Sequence, residues 1–95
     1  MVYLIHFDKK FHHAQHYIGF VDSPKHSLER RVEYHKSGKG SRLLKAVANA
    51  DIPFSVVRTW AEGDRNFERS LKNKKSAKQF CPICNPKLKE NLLPI

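Results

Sequence analysis

From Val2 to Phe7 every position except His6 is β-branched, aliphatic or aromatic, and a polar cluster, Asp8-Lys9-Lys10, closes the run. Such a stretch reads as a strand. A second strand follows at Gln15 to Val21, where Tyr17, Ile18, Phe20 and Val21 surround Gly19, and residues 8 to 14 suit an antiparallel hairpin with a longish loop. Gly19 is out of place there. A strand glycine weakens pairing and packing, so it marks a bulge or a point where another backbone, a side chain or a ligand comes close.

Helices follow. Asp22-Ser23-Pro24 is a helix-start signal, with Ser27 as a rival cap, and the first helix is expected to run to about Ser37. At ~100° per residue Leu28 and Val32 lie ~40° apart, and Arg31 and His35 fall within the same arc of roughly 100°. The two apolar residues must face the core, so they are expected to carry an arginine and a histidine inward with them. A buried charge without a partner is costly. Gly38-Lys39-Gly40 ends this helix, and Ser41 can cap a second one striped by Leu43, Ala46, Val47 and Ala50. Phe54 to Trp60 reads as a third strand, and Gly63-Asp64 starts a third helix, through about Lys75, with Phe67 and Leu71 inward.

The resulting order, β-β-α-α-β-α, predicts an α/β protein of the α+β kind: a small, three-stranded, mostly antiparallel sheet flanked by helices. A length of 95 residues suits one hydrophobic core. Residues 1–79 are expected to form the body of the domain. Residues 80–95 are expected to form a loop-rich basic tail that belongs to the same domain and carries the only two cysteines, Cys81 and Cys84.

Eighteen Lys and Arg against nine Asp and Glu leave a formal charge of +9, which points to a polyanionic partner. Residues 65–89 hold eight of the cations and a single acid, Glu68, so the electrostatic footprint lies in the C-terminal third. No apolar run approaches the ~20 residues of a membrane span. The first residues lack the basic segment and cleavage site of a secretory signal, so a cytoplasmic protein without a membrane partner is expected.

The chemistry-bearing residues form an ordered series. Val2-Tyr3-Leu4 is followed by His16-Tyr17-Ile18-Gly19, then by Arg31 and His35 in one helix, then by Glu68 in Phe67-Glu68-Arg69-Ser70-Leu71-Lys72. This series resembles the GIY-YIG nuclease superfamily, specifically its small single-domain bacterial members, over about residues 2 to 85. The resemblance implies a metal-dependent endonuclease that hydrolyses DNA phosphodiesters, with Tyr3, Tyr17, Arg31, His35 and Glu68 lining one site on the sheet. Glu68 is then the ligand of Mg2+ or Mn2+, since Mg2+ keeps most of its waters and needs few carboxylates. Arg31 offers a planar fork to phosphate oxygens. Tyr17 and Tyr3 hold or deprotonate the attacking water, and His35 assists as base or proton relay. Lys25, Lys39, Arg69, Lys72, Lys75 and Asn85 are the expected DNA contacts. Specificity is expected to come from DNA structure or from a protein partner.

Two departures from the family pattern stand out. The first motif reads Met1-Val2-Tyr3 without the Gly-Ile that names the family, and Phe20 follows Gly19 where many relatives carry a lysine. Phe20 supports a rival reading, a non-catalytic nucleic-acid-binding module of the same fold. A third reading is an interaction protein whose Cys-x-x-Cys segment binds zinc or a partner. A closed zinc site needs four ligands. His12, His13 and His16 could complete one geometrically, but zinc at Cys81 and Cys84 is not expected, and the two thiols are read as small apolar groups in a tight turn under Phe80.

Overall fold

The computed structural model describes residues 1–22, 25–75 and 77–85, with the side chains of residues 25–27 outside that description. The elements are β1 (Val2–Phe11), β2 (Ala14–Phe20), α1 (Lys25–Lys36), α2 (Arg42–Asn49), β3 (Phe54–Trp60), α3 (Arg65–Asn73) and a 3-10 turn at Ala77–Phe80. The expected class and element order are therefore observed. The strands form one sheet in the order β2-β1-β3, and both pairings are antiparallel.

The first strand lies at the centre, which explains its composition. Val2 to Phe7 are all buried because both faces of β1 are covered. Tyr3, Ile5 and Phe7 pack with Val21, Leu44, Val47 and Phe54 on one face, against α1 and α2. Val2 and Leu4 pack with Ile18, Leu71 and Cys81 on the other, against α3 and the 3-10 turn. Period-two alternation thus sorts β1 into two cores.

The hairpin differs from the expected long loop. β1 continues through Asp8-Lys9-Lys10 to Phe11, Phe11 pairs with Ala14, and the chain turns at His12-His13, with His12 at φ 55°. Those polar residues are exposed but still strand, since the hydrogen-bonded ladder and not burial extends the hairpin. The Asp8 N–H donates to the Pro53 carbonyl at 2.9 Å.

Two expected caps are made. Ser41 Oγ accepts from the Leu44 N–H at 3.1 Å and Asp64 Oδ1 accepts from the Phe67 N–H at 2.8 Å. Each satisfies a helix donor that would otherwise lack a partner. In α2 the fully buried residues are Leu44 and Val47, with Leu43 half-buried beside them, so the apolar stripe is centred one residue later than expected. α3 stops at Asn73, before the positive φ of Lys75. The segment after α3 returns to the sheet, where Arg58 Nη1 donates to the Phe80 carbonyl at 3.2 Å and Trp60 stacks edge-on with Phe67 and Phe80. Among the described residues no helix is long and apolar enough to cross a membrane.

Candidate functional site

Tyr3 sits near the start of β1 with no exposed surface, and its ladder partner on β2 is Gly19. The strand glycine is explained by this contact. A Cβ at Gly19 would stand 2.3 Å from Tyr3 Cζ, so only glycine leaves room for the ring to lie flat across β2. The ring then reaches α1, where the Tyr3 hydroxyl meets His35 Nε2 at 3.1 Å. Tyr17, opposite Ile5, joins the same cluster, with ring centroids 6.3 Å from Tyr3 and 5.6 Å from His35.

Of the pair carried inward by α1, His35 is fully buried but Arg31 is exposed. From mid-helix the exposed Arg31 still acts through its charge on both Tyr3 and His35. Burial, then the neighbouring Tyr17, push the Tyr3 phenol up to about 12, against an opposing pull from Arg31. The Glu68 charge on α3 also acts on Tyr3. Glu68 is largely covered, with 15% of its side chain exposed, and it forms an ion pair with Lys72 Nζ at 3.4 Å. Lys72 Nζ lies 5.8 Å from the centre of the Tyr17 ring, placing a positive charge beside that tyrosine.

His35 and Tyr17 thus pack against Tyr3, and the charges of Arg31 and Glu68 act on it. His35 Nδ1 is buried without an aligned hydrogen-bond partner, and the ring packs so closely on Gly40 that a Cβ there would lie 2.5 Å from Nδ1. Gly40 also has φ +87°, so glycine is required twice over. With the Tyr3 hydroxyl donating to Nε2, the neutral imidazole carries its proton on Nδ1.

Burial, then the Arg31 charge, lower the His35 pKa from the ordinary 6.5, and the Lys39 backbone acts in the opposite sense. The unfolded chain therefore binds this proton more readily than the folded one. Its stabilising effect is complete above the unfolded value of about 6.5 and is lost as pH falls below it toward the lower folded pKa. Thermal unfolding measured from about pH 8 down to about pH 5 should show a Tm that declines below about 6.5. His16 is lowered in the same direction, by burial first. His35→Gln should flatten the slope, and an unchanged slope would remove His35 from the account.

The basic residues divide by position. Lys72 and Lys75 line a groove of about 590 Å³ along the β2 edge, together with Lys10, His13, Tyr17 and Lys78. Lys39 is exposed in the α1–α2 connection and Arg69 is exposed on α3. The Lys25 side chain lies outside the described residues. Asn85 is half-buried and engaged in the cysteine turn, where its Nδ2 donates to the Gln79 carbonyl at 2.9 Å and its backbone N–H donates to the Cys81 carbonyl at 2.8 Å.

The cysteines correct the expectation that they pack merely as apolar groups. His6, on the Val2-Leu4 face of β1, pairs across the ladder with His16. Cys81 and Cys84 come to rest against both imidazoles, and one ligand atom from each of the four residues lies within 4.8 Å of every other. This cluster can hold a metal ion. Its histidines are His6 and His16; the hairpin turn carries His12 and His13 away from it. Burial, then Cys81, push the Cys84 thiol up. The sequence did hold a signal for His6, the one polar residue in an otherwise apolar strand, but nothing local ties it to a cysteine pair 75 positions later.

Comparison with family models, curated proteins and solved structures finds no match.

Proposed function

We propose that the chain is a metal-dependent endonuclease that hydrolyses DNA phosphodiester bonds with low sequence specificity or by recognising DNA structure. The observation that carries this reading is the convergence of Tyr17, Arg31, His35 and Glu68 on Tyr3, beside a groove lined by Lys10, Lys72, Lys75 and Lys78. A lysine-lined groove binds a phosphate backbone without reading bases. That suits a chain whose described helices are all committed to covering the sheet.

Each residue has a role its position allows. Arg31, exposed at the rim, pairs with phosphate oxygens and stabilises the added charge of the five-coordinate transition state. Tyr17, half-buried at the groove, positions the attacking water. Tyr3 stays protonated at neutral pH, since its phenol is pushed to about 12, and its buried hydroxyl donates to His35 Nε2, which holds the imidazole in place beside Tyr17. The water oxygen bonds to phosphorus as the bond to the leaving oxygen breaks; the proton the water loses passes to solvent in the groove at Tyr17, and the leaving oxygen takes up a proton from the same solvent. Glu68 suits Mg2+ or Mn2+, because among the described residues it is ion-paired with Lys72 at 3.4 Å, a half-exposed lysine that can give way to a divalent ion. When bound, the ion would neutralise charge on the scissile phosphate.

Nicking of supercoiled, flapped and branched DNA with Mg2+ or Mn2+ tests the reading. Glu68→Ala and Tyr17→Phe should each lower cleavage by about 10²-fold or more while Tm and DNA affinity hold. The competing reading, a binding module without turnover, draws on Phe20 and on the raised Tyr3 phenol. It prevails if wild type and both variants bind equally and none cleaves. In that case the lysine groove explains the binding alone.

A further inference from the structure

The His6-His16-Cys81-Cys84 cluster has a geometry that hydrogen bonding does not explain. His6 Nδ1 lies 3.4 Å from His16 Nε2, 3.5 Å from Cys81 Sγ and 3.7 Å from Cys84 Sγ. An imidazole nitrogen offers one lone pair or one proton, in the ring plane, so it can serve one of these neighbours and not three. A fourth separation, Cys84 Sγ to His16 Nε2, is 3.4 Å. Four atoms this close, with no covalent link between them, are the corners of a coordination polyhedron.

Its size and its donor set together point to an occupant. A tetrahedral ion with bonds of about 2.3 Å to sulfur and about 2.0–2.1 Å to nitrogen holds its nitrogens about 3.3 Å apart and each nitrogen about 3.6 Å from each sulfur. All four measured edges fall within 0.2 Å of those values. Mg2+ and Ca2+ prefer oxygen, whereas two thiolates with two imidazoles form a set for zinc.

We propose that His6 Nδ1, His16 Nε2, Cys81 Sγ and Cys84 Sγ bind one Zn2+ in a closed, structural, tetrahedral site. Four protein ligands leave no open position for a substrate. Cys81 is fully buried and His6 is nearly so, among Leu4, Ile18 and Leu71. The hairpin supplies two ligands and the segment after α3 supplies the other two, so the ion clamps the end of the described chain onto the sheet. Lys75 and Lys78, which lead into that segment, are thereby held along the groove beside Tyr17. The site does not depend on the chain being a nuclease.

Protein purified without chelator should contain one zinc per chain by mass spectrometry, and Cys84→Ser should fall below about a tenth of that. Cobalt substituted into the metal-free protein should give the intense visible absorption of tetrahedral Co2+ together with thiolate charge-transfer bands. A strong chelator should lower Tm by more than about 10 °C, with recovery on adding Zn2+ but not Mg2+. His16→Gln, at a half-buried position, repeats the comparison if Cys84→Ser does not fold. Zinc well below one per chain in wild type, an octahedral cobalt spectrum, or equal zinc in wild type and both variants would overturn the proposal.

Discussion

Gly19→Ala should lower the melting temperature by roughly 15 °C, from a cost above about 3 kcal/mol. The added Cβ would stand 2.3 Å from Tyr3 Cζ, 2.4 Å from its hydroxyl oxygen and 2.8 Å from Cε2. Neither side can yield cheaply. Gly19 is held in the ladder opposite Tyr3 itself, and the Tyr3 ring is enclosed in the core and tied at its hydroxyl to His35. A double-mutant comparison separates this clash from a general dislike of alanine in β2. In a Tyr3→Leu background the obstructing hydroxyl and ring edge are gone, so the same Gly19→Ala change should cost less than about 1 kcal/mol. Equal costs in the two backgrounds, or a wild-type Tm shift within about 2 °C, would mean that the ring does not require the glycine. Any Gly19→Ala protein that still folds should cleave poorly, because displacing the Tyr3 hydroxyl breaks its 3.1 Å contact with His35.

Arg31→Ala should leave stability nearly unchanged and reduce DNA cleavage by about 10²- to 10³-fold. The asymmetry follows from where the residue sits. Its side chain is exposed, so truncation opens no cavity, while its charge is directed at the Tyr3-His35 pair. Arg31→Lys should recover only part of the activity, since an ammonium cannot present two parallel donors to a phosphate. The same variant carries an internal control. Arg31 lowers the His35 pKa, so its removal lets that pKa rise toward the unfolded value, and the loss of stability on acidification becomes shallower. Cleavage by Arg31→Ala at the wild-type rate would sink the assigned role. An unaltered acid slope would show that the guanidinium does not act on His35.

The two proposed ions are distinguishable by what their removal would do. Loss of an ion at Glu68 should stop cleavage and leave the fold alone, because the carboxylate already has an ion-pair partner in Lys72. Loss of zinc should weaken the fold, since two thiols and two imidazoles would be left crowded at one point.

Much of this architecture was legible residue by residue. The alternation in Val2–Phe7, the Ser41 and Asp64 caps and the apolar pair Phe67-Leu71 each depend on near neighbours in sequence, and each appears where the pattern places it. Gly19 announced a close approach without naming the visitor, which is the Tyr3 ring. The failures share one cause. Asp8-Lys9-Lys10 looked like a loop because it is polar, yet a hairpin ladder extends through exposed residues as readily as buried ones. Arg31 looked buried because it shares an arc with Leu28 and Val32, yet an edge position on a helix lets a long side chain reach water.

The chain's order of elements and its cationic C-terminal third follow from short-range pattern and composition, because period, caps and charge act over a few residues, whereas the central place of β1 in the sheet does not. Which polar atoms meet was decided only by the folded sheet. The Tyr3 hydroxyl reaches His35 Nε2 across 32 positions, and Cys84 Sγ reaches His6 Nδ1 across 78. Such meetings depend on strand register and on where the chain end returns, and a one-residue slip of β2 would turn His16 away from His6 and Tyr17 away from His35.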